Sequence, residues 1–213
     1  MATVQAAPEE RLRLSQVPWA DYVAYCDGLG ERPIRVTYDR GEMEVMTTSS
    51  RHENRKTLLR RFVEALTEEM SIDIAGYGSM THRREDLERA LEGDECYWIA
   101  HESAVRGKID LDLENDPPPD LFLEIEISRS LLDRMAILAA MGVPEVWRWD
   151  GETLRVCLLT QEVGYRESDH SLAFPFLPLD DFAVFLNNTG QSETQLVKTF
   201  RAWVREQMAH GWK

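Results

Sequence analysis

Residues 117–127, PPPDLFLEIEI, constrain the fold of this chain more than any other stretch. Proline lacks a backbone N–H and interrupts helices, so the three prolines separate residues 120–127 from any preceding helix. The residues after Asp120 alternate in character, which is typical of a β-strand whose two faces differ. Such a strand places Glu124 and Glu126 on the same face as Phe122. The opposite face carries aliphatic side chains only: Leu121, Leu123, Ile125 and Ile127.

Helices and strands interleave along the 213 residues, and several strand pairs are joined by hairpin turns. The segments IRVTY and EMEVM flank an Asp-Arg-Gly turn at 39–41, and EVWRWD and TLRVCLL flank an Asp-Gly turn at 150–151. Residues 51–70 carry an apolar stripe at helical spacing. This pattern predicts an α/β fold with a mixed β-sheet.

A chain of this length can bury one substantial core, and we expect one domain. We expect residues 1–14 to be a flexible N-terminus, residues 15–190 to form the domain, and residues 191–213 to be a C-terminal helix that packs on it or extends it. No apolar run approaches the roughly 20 residues that span a bilayer, and the N-terminus lacks a secretory signal, so we expect a cytoplasmic protein without a membrane partner. The cysteines are far apart in sequence and are expected to be reduced: Cys26, Cys96 and Cys157.

The formal net charge of −14 argues against general nucleic-acid affinity, which comes mostly from cations meeting phosphates. A nucleic-acid role therefore requires local basic exceptions. The helix predicted at 51–70 supplies one on its polar side: Arg51, Arg55, Lys56, Arg60 and Arg61. Such a run is also typical of an ordinary solvated helix face, which we weigh as the simpler interpretation.

The two strand glutamates are candidate metal ligands. Residues two apart on a strand lie roughly 6 to 7 Å apart at their backbones, so both carboxylates could reach one hydrated divalent cation. Asp94, which opens the apolar run CYWIA, is the best candidate for a third ligand, with Asp110 and Asp112 as competitors. Asp120 is about 13 Å from Glu124 along the strand and is expected to stand at the strand entry instead.

A magnesium ion held this way binds a phosphodiester oxygen and activates water, which is the chemistry of phosphodiester hydrolysis. The alternative is structural, because alternate glutamates often mark the solvated face of an antiparallel sheet. The metal hypothesis assumes that acids from two neighbouring strands converge so closely that a bound divalent ion is needed to offset their repulsion.

The order GDECYWIA, then VRGKIDLDLENDPPPDLFLEIEIS, then LLDRMAILAAMGVPEVWRWDGETLRV resembles a large bacterial family of restriction-endonuclease-like proteins in the PD-(D/E)XK nuclease superfamily. The resemblance covers roughly residues 30–180, and its most specific part is GVPEVWRWDG. It implies a restriction endonuclease-like fold, with a central mixed β-sheet flanked by helices, and acids on adjacent strands that bind Mg²⁺ or Mn²⁺.

The resemblance also assigns residues. Asp94 matches the first acidic position of the family and Glu124 the second, while Glu126 stands where the superfamily pattern has a lysine. A glutamate there adds negative charge, so another residue must supply the cation. Arg134 on the following helix matches by position, with Lys108 second.

The superfamily also uses an acid on its first core helix, and Glu53, beside His52, falls in that region. A capping box formed by Ser50 and Glu53 competes with that role, and we favour the cap.

Two functions remain open at this point. The first is a metal-dependent endonuclease acting on DNA, with Asp94, Glu124 and Glu126 as metal ligands and catalytic residues and Arg134 as a catalytic cation. A homodimer would suit cleavage of two strands. The second is a non-catalytic binding or regulatory module that keeps the nuclease fold.

Overall fold

The computed structural model describes residues 9–30, 32–162, 164–188 and 190–212. Helices and strands alternate through these residues, as the sequence predicts. The strands are β1 (Arg11–Leu14), β2 (Ile34–Asp39), β3 (Glu42–Thr47), β4 (Ala75–Gly76), β5 (Thr81–Arg84), β6 (Arg89–Glu92), β7 (Glu95–Trp98), β8 (Leu121–Ile125), β9 (Glu145–Trp149), β10 (Leu154–Thr160) and β11 (Gly164–Ser168). The helices are α1 (Trp19–Leu29), α2 (Ser50–Met70), α3 (Glu102–Val105), α4 (Arg134–Ala140), α5 (Leu179–Asn187) and α6 (Glu193–His210).

The main sheet has six strands in the order β11-β10-β9-β8-β7-β4. Strands β8 and β9 run parallel, and the other neighbours are antiparallel, so the sheet is mixed. A parallel pair requires a crossover connection, and α4 lies in the connection between β8 and β9. The predicted α/β fold with a mixed sheet flanked by helices is confirmed.

Helices cover both faces of this sheet, so successive side chains of β8 pack in two different cores. Leu121, Leu123 and Ile125 pack in a core with residues of α2, α5 and α6. Phe122 points to the other face and packs in a second core with Ile137 of α4. Because both faces are apolar at the centre, the strand's acidic residues are confined to its C-terminal end.

A second, five-stranded sheet has the order β1-β3-β2-β6-β5, and all its pairs are antiparallel. Helix α1 packs on it through Tyr22, which stacks on Tyr38 of β2 at a centroid distance of 4.9 Å. Its edge strand β1 lies within the predicted flexible segment 1–14. Residues 1–8 lie outside the described residues, whereas Arg11–Leu14 pair with Met43–Met46 of β3.

Helix α2 begins one residue earlier than the sequence predicts. Its N-cap is Ser49, whose side chain accepts a hydrogen bond from the His52 backbone N–H, so Ser50 is already helical. The apolar stripe of α2 is buried as expected, with Phe62 at the centre of an aromatic cluster that includes Phe200 of α6. Within the described part of the chain, no helix is long and apolar enough to span a membrane.

Candidate functional site

Asp94, immediately before β7, and Glu124 of β8 lie on the same face of the main sheet. Strands β7 and β8 pair antiparallel with Glu95 opposite Leu123, and one more step in the same register places Asp94 opposite Glu124. Directly opposed residues of an antiparallel pair point to the same side. The Asp94 carboxylate also accepts a hydrogen bond from the backbone N–H of Ile125, which ties it to the end of β8.

These acids line a cleft of about 440 Å³ between the two sheets. The loop that connects β8 to α4 forms much of its wall. The charged residues that line the cleft are Arg11, Arg35, His52, Asp94, Glu124, Glu126, Arg129, Asp133, Arg134 and Arg148. Five arginines therefore face four acids here, although the chain as a whole carries a net charge of −14. This is the kind of local exception that a nucleic-acid role requires.

Asp94 is buried and is held by three donors. Its Oδ1 contacts the Arg35 guanidinium and lies 2.6 Å from Nε2 of His52, and its Oδ2 accepts from the Ile125 N–H. Burial by itself disfavours the charged carboxylate, but the His52 hydrogen bond and the Arg35 charge outweigh it and hold the pKa of Asp94 well below its ordinary value. Asp94 is therefore a fixed negative charge at neutral pH.

Glu124 forms a two-pronged ion pair with Arg134. The guanidinium Nε donates to Oε2 at 3.0 Å and Nη2 donates to Oε1 at 2.7 Å. Arg134 is anchored further by Thr37 Oγ1 and the Glu92 carbonyl, both at 2.8 Å. Burial, with a smaller contribution from Asp94, raises the pKa of Glu124, and the Arg134 charge opposes that rise.

Helix α4 positions Arg134 at its first residue. The preceding Asp133 caps the helix, and its carboxylate accepts from the Ala136 N–H at 3.0 Å. The structure thus places Arg134 where the family resemblance put a compensating cation. Its catalytic role stays a prediction.

Glu126 lies just beyond β8 and is the most accessible of the three acids. Its side chain is 32% exposed, against 12% for Glu124, and it contacts the Arg148 guanidinium of β9. Its backbone N–H donates to the Trp149 carbonyl at 2.9 Å, which extends the parallel pairing by one residue.

Each of the three acids is therefore matched by an arginine: Asp94 by Arg35, Glu124 by Arg134 and Glu126 by Arg148. These arginines offset the negative charge of the acids in this arrangement, and the expectation that a divalent ion binds them stays a prediction. Among the residues the structure describes, no three His, Cys, Asp or Glu side chains converge as a metal-ligand set. The carboxylates of Asp94 and Glu124 have the oxygen chemistry that Mg²⁺ prefers, but a cation must compete with Arg35 and Arg134 for them.

Glu53 does not form the capping box favoured by the sequence. Its carboxylate instead lies 3.2 Å from Arg35 and 2.7 Å from Lys56. Through Arg35 it belongs to the outer layer of the Asp94 network. A capping box needs a hydroxyl at the preceding N-cap to be matched by a carboxylate at N3, and the one-residue shift of the cap to Ser49 removes that match.

The other candidates lie outside the cleft. Lys108 pairs with Asp116, Asp110 is exposed, and the Asp112 carboxylate closes a local turn with the Glu114 N–H. Asp120 stands at the strand entry, as expected.

The Asp120 carboxylate accepts hydrogen bonds from the backbone N–H groups of Ile99 and His101, at 2.7 and 3.0 Å. It therefore fixes the turn after β7 at the end of β8 that is remote from Glu124.

The basic face of α2 is mostly paired within the molecule. Lys56, Arg60 and Arg61 each contact a glutamate, which supports the solvated-face interpretation for them. The first turns differ, because Arg51 lies beside Gly151 and Arg55 stacks over Trp149 with 5.1 Å to the ring centroid. These two arginines lie at the β9–β10 hairpin, next to the end of β9 that carries Arg148.

Sequence reasoning missed the residues that hold the acids, namely Arg35, His52 and Arg148. Arg35 carried a usable signal, because a charged side chain between the apolar positions of a central strand is rarely buried without a partner. The sequence offered no comparable signal for the partner itself, since Arg35 and Asp94 are 59 residues apart.

Comparisons with known proteins identify the family and the fold of the chain. The model of the Uma2 family, described as "Putative restriction endonuclease", matches residues 19–185. A crystal structure described as that of "a putative nuclease" from Anabaena variabilis ATCC 29413 superposes with a TM-score of 0.50 at 15% identity. That match covers 88% of this chain and 99% of the other, and it shows a shared fold. The curated proteins contain no match to the chain.

Proposed function

The chain belongs to the Uma2 family, described as "Putative restriction endonuclease", and on that premise we propose that it is a metal-dependent endonuclease that hydrolyses phosphodiester bonds in DNA. The observation that carries the proposal is the placement of Asp94 and Glu124 side by side in a cleft lined by five arginines. Paired carboxylates supply oxygen ligands for a hard cation, and arginines supply phosphate contacts.

We assign Asp94, Glu124 and Glu126 as the residues that would hold Mg²⁺ or Mn²⁺. The three do not converge as a ligand set in the free protein, so Glu126 would have to leave Arg148 to reach the ion. A bound ion of this kind polarises a phosphoryl oxygen and lowers the pKa of a coordinated water. Glu126 is the most exposed of the three, so we also assign it as the group that accepts a proton from the attacking water. It thereby takes over part of the role of the lysine in the superfamily pattern.

The arginines have a separate task. A guanidinium stays protonated at neutral pH and cannot act as a base, but its planar fork matches phosphate oxygens. In the free protein these groups contact Glu124 and Glu126, and in the complex we expect Arg134 and Arg148 to turn part of their hydrogen bonding toward the phosphate. Charge that builds on the phosphoryl oxygens would then be stabilised by groups already in place.

The test is cleavage of supercoiled plasmid DNA with Mg²⁺ or Mn²⁺, with EDTA as the blank. We expect Glu124→Gln to lower the rate by at least about 100-fold, because one lost electrostatic group costs about that much in comparable sites. Glu162→Gln, at an exposed position far from the cleft, is the matched control and should keep the full rate. Equal cleavage by the Glu124 variant would show that the activity comes from a contaminant.

A second candidate function is a non-catalytic binding module on the same fold. It is favoured by the arginine partner of each acid and by the lack of a three-ligand metal set among the described residues. The two candidates separate in one experiment: the module binds DNA or a protein partner with no cleavage in either metal.

Cleavage of both strands would be served by a homodimer, which light scattering of the purified chain can detect. A dimer that persists at micromolar concentration would support paired cutting, and a strict monomer would favour nicking of one strand.

A further inference from the structure

A carboxylate in the segment before β1 contacts residues that line the cleft. Glu9 has a side chain that is only 2% exposed. Carboxylates are rarely buried to this extent without charged or hydrogen-bonding partners. The partners of Glu9 therefore identify what the surrounding site is built to bind.

Three donors surround Glu9, and all three line the cleft. Its Oε1 lies 3.1 Å from Nδ1 of His52, and its Oε2 lies 3.4 Å from Nη2 of Arg11 and accepts from the Ser128 hydroxyl. A cation, an imidazole and a hydroxyl that converge on two carboxylate oxygens form the donor set of a phosphate site.

The position of this site relates it to the acids. His52 contacts Glu9 through Nδ1 and Asp94 through Nε2, so one imidazole ring separates the two carboxylates. Ser128 belongs to the loop that follows Glu126 and also lines the cleft. Glu9 thus connects α2, through His52, with the loop after β8, through Ser128.

The segment that carries Glu9 is held to the second sheet mainly by the backbone pairing of β1. Strand β1 is an edge strand with four paired residues on β3, and its Leu12 and Leu14 side chains are exposed. Few apolar contacts therefore hold its end, so residues 9 and 10 can open locally at low free-energy cost while Arg11 stays paired with β3.

We propose that the donors Arg11, His52 and Ser128 form a subsite for a phosphate of the nucleic-acid backbone, and that Glu9 occupies this subsite as an internal substitute until the substrate displaces it. The phosphodiester identity of the ligand rests on the proposed function. Displacement exchanges one anion for another at the same donors, so the energetic barrier lies in moving the segment.

The experiment measures binding in EDTA, which separates it from cleavage. A fluorescently labelled 20-base-pair duplex is titrated with the unaltered chain, with Glu9→Gln and with Glu10→Gln. Glu10 is the matched control, because it is adjacent, and its backbone N–H, not its carboxylate, makes the hydrogen bond to Thr47. We expect Glu9→Gln to tighten binding roughly tenfold, since a competing charge-assisted hydrogen bond is removed, and Glu10→Gln to change it less than about twofold.

The double variant Glu9→Gln, Ser128→Ala should lose part of that gain, because a donor of the vacated subsite is missing. Equal effects of the Glu9 and Glu10 variants would overturn the proposal, as they would show that only net charge matters. Inorganic phosphate provides a second test. If millimolar phosphate displaces the duplex from Glu9→Gln and not from the unaltered chain, the subsite binds any phosphate. If phosphate displaces the duplex from neither protein, the subsite requires the nucleic-acid backbone.

A measurement on the unaltered chain covers the case in which the variants do not fold. Saturating duplex should increase amide hydrogen exchange at residues 9 and 10, which precede the donor Arg11, and unchanged or greater protection there would overturn the proposal. Exchange and tighter binding without cleavage would leave the subsite in place while refuting the nuclease. Cleavage with unchanged exchange and unchanged binding would support the nuclease and refute the subsite.

Discussion

The ion pair between Glu124 and Arg134 offers the sharpest test of how the cleft is held together. Both side chains are largely buried, at 12% and 15% exposure, and Arg134 makes four hydrogen bonds. Removing one partner of a buried pair leaves an uncompensated charge and costs about 3–5 kcal/mol. We therefore expect Arg134→Met to lower the free energy of unfolding by that amount.

The reciprocal change is expected to cost less. In Glu124→Gln the amide oxygen still accepts one hydrogen bond, and Arg134 keeps Thr37 and the Glu92 carbonyl, so the loss should be about 1.5–3 kcal/mol. The double variant no longer buries an unpaired charge. Its cost should fall short of the sum of the single losses by about 2 kcal/mol, within the usual range for coupled neighbours.

Urea unfolding followed by circular dichroism measures all four proteins, with unchanged m-values as the condition for comparing them. The exposed pair Arg166 and Glu162, whose charged atoms are 4.0 Å apart, provides the matched cycle. Exposed pairs contribute about 0–1 kcal/mol, so its coupling should be small. The reasoning fails if Arg134→Met costs under about 1 kcal/mol, or if the buried pair couples no more strongly than the exposed one.

Three further outcomes can be checked. Burial lowers the pKa of His82 to about 4, so below about pH 6.5 the unfolded chain binds a proton that the folded chain excludes. The contribution of His82 to the free energy of unfolding is therefore fully present above about pH 6.5 and is about 2 kcal/mol smaller at pH 5. His82→Asn should remove this pH dependence in urea titrations. A Cβ at Gly93 would stand 2.1 Å from the buried ring of Phe122, so Gly93→Ala should destabilise the protein by about 1–3 kcal/mol. Gly28 lies on α1 with open space around it, so Gly28→Ala should stabilise the protein by about 0.5–1 kcal/mol. The thermal unfolding midpoints of the two variants should therefore move in opposite directions. Arg129 is exposed on the cleft wall, and Arg129→Gln should weaken DNA binding for every sequence and reduce the slope of log affinity against log salt by about 1; an unchanged slope would place DNA elsewhere.

Local sequence patterns predicted much of the secondary structure. Alternation assigned each face of β8 correctly, because strand periodicity is a property of the backbone alone. The apolar stripe on α2 and the hairpins at 39–41 and 150–151 were also predicted, because helical spacing and turn residues are local signals too. Asp94 and Glu124 were predicted to be neighbours, first from their positions in two strand segments and then from the family resemblance, and the register of β7 and β8 places them side by side.

Contacts between distant segments could not be read from the sequence. The sequence identified the acids, but it did not identify their partners: Arg35 is 59 residues from Asp94, and Glu9 is 119 residues from Ser128. The second sheet and the pairing of β1 with β3 are equally remote from any local signal. A residue's type and spacing determine which element it joins and which way it points, whereas the partner that neutralises a buried charge is decided only when the packed elements bring the two together. The sequence by itself determined the central strands, the long helices and the acids, and the tertiary structure alone decided that each acid faces an arginine.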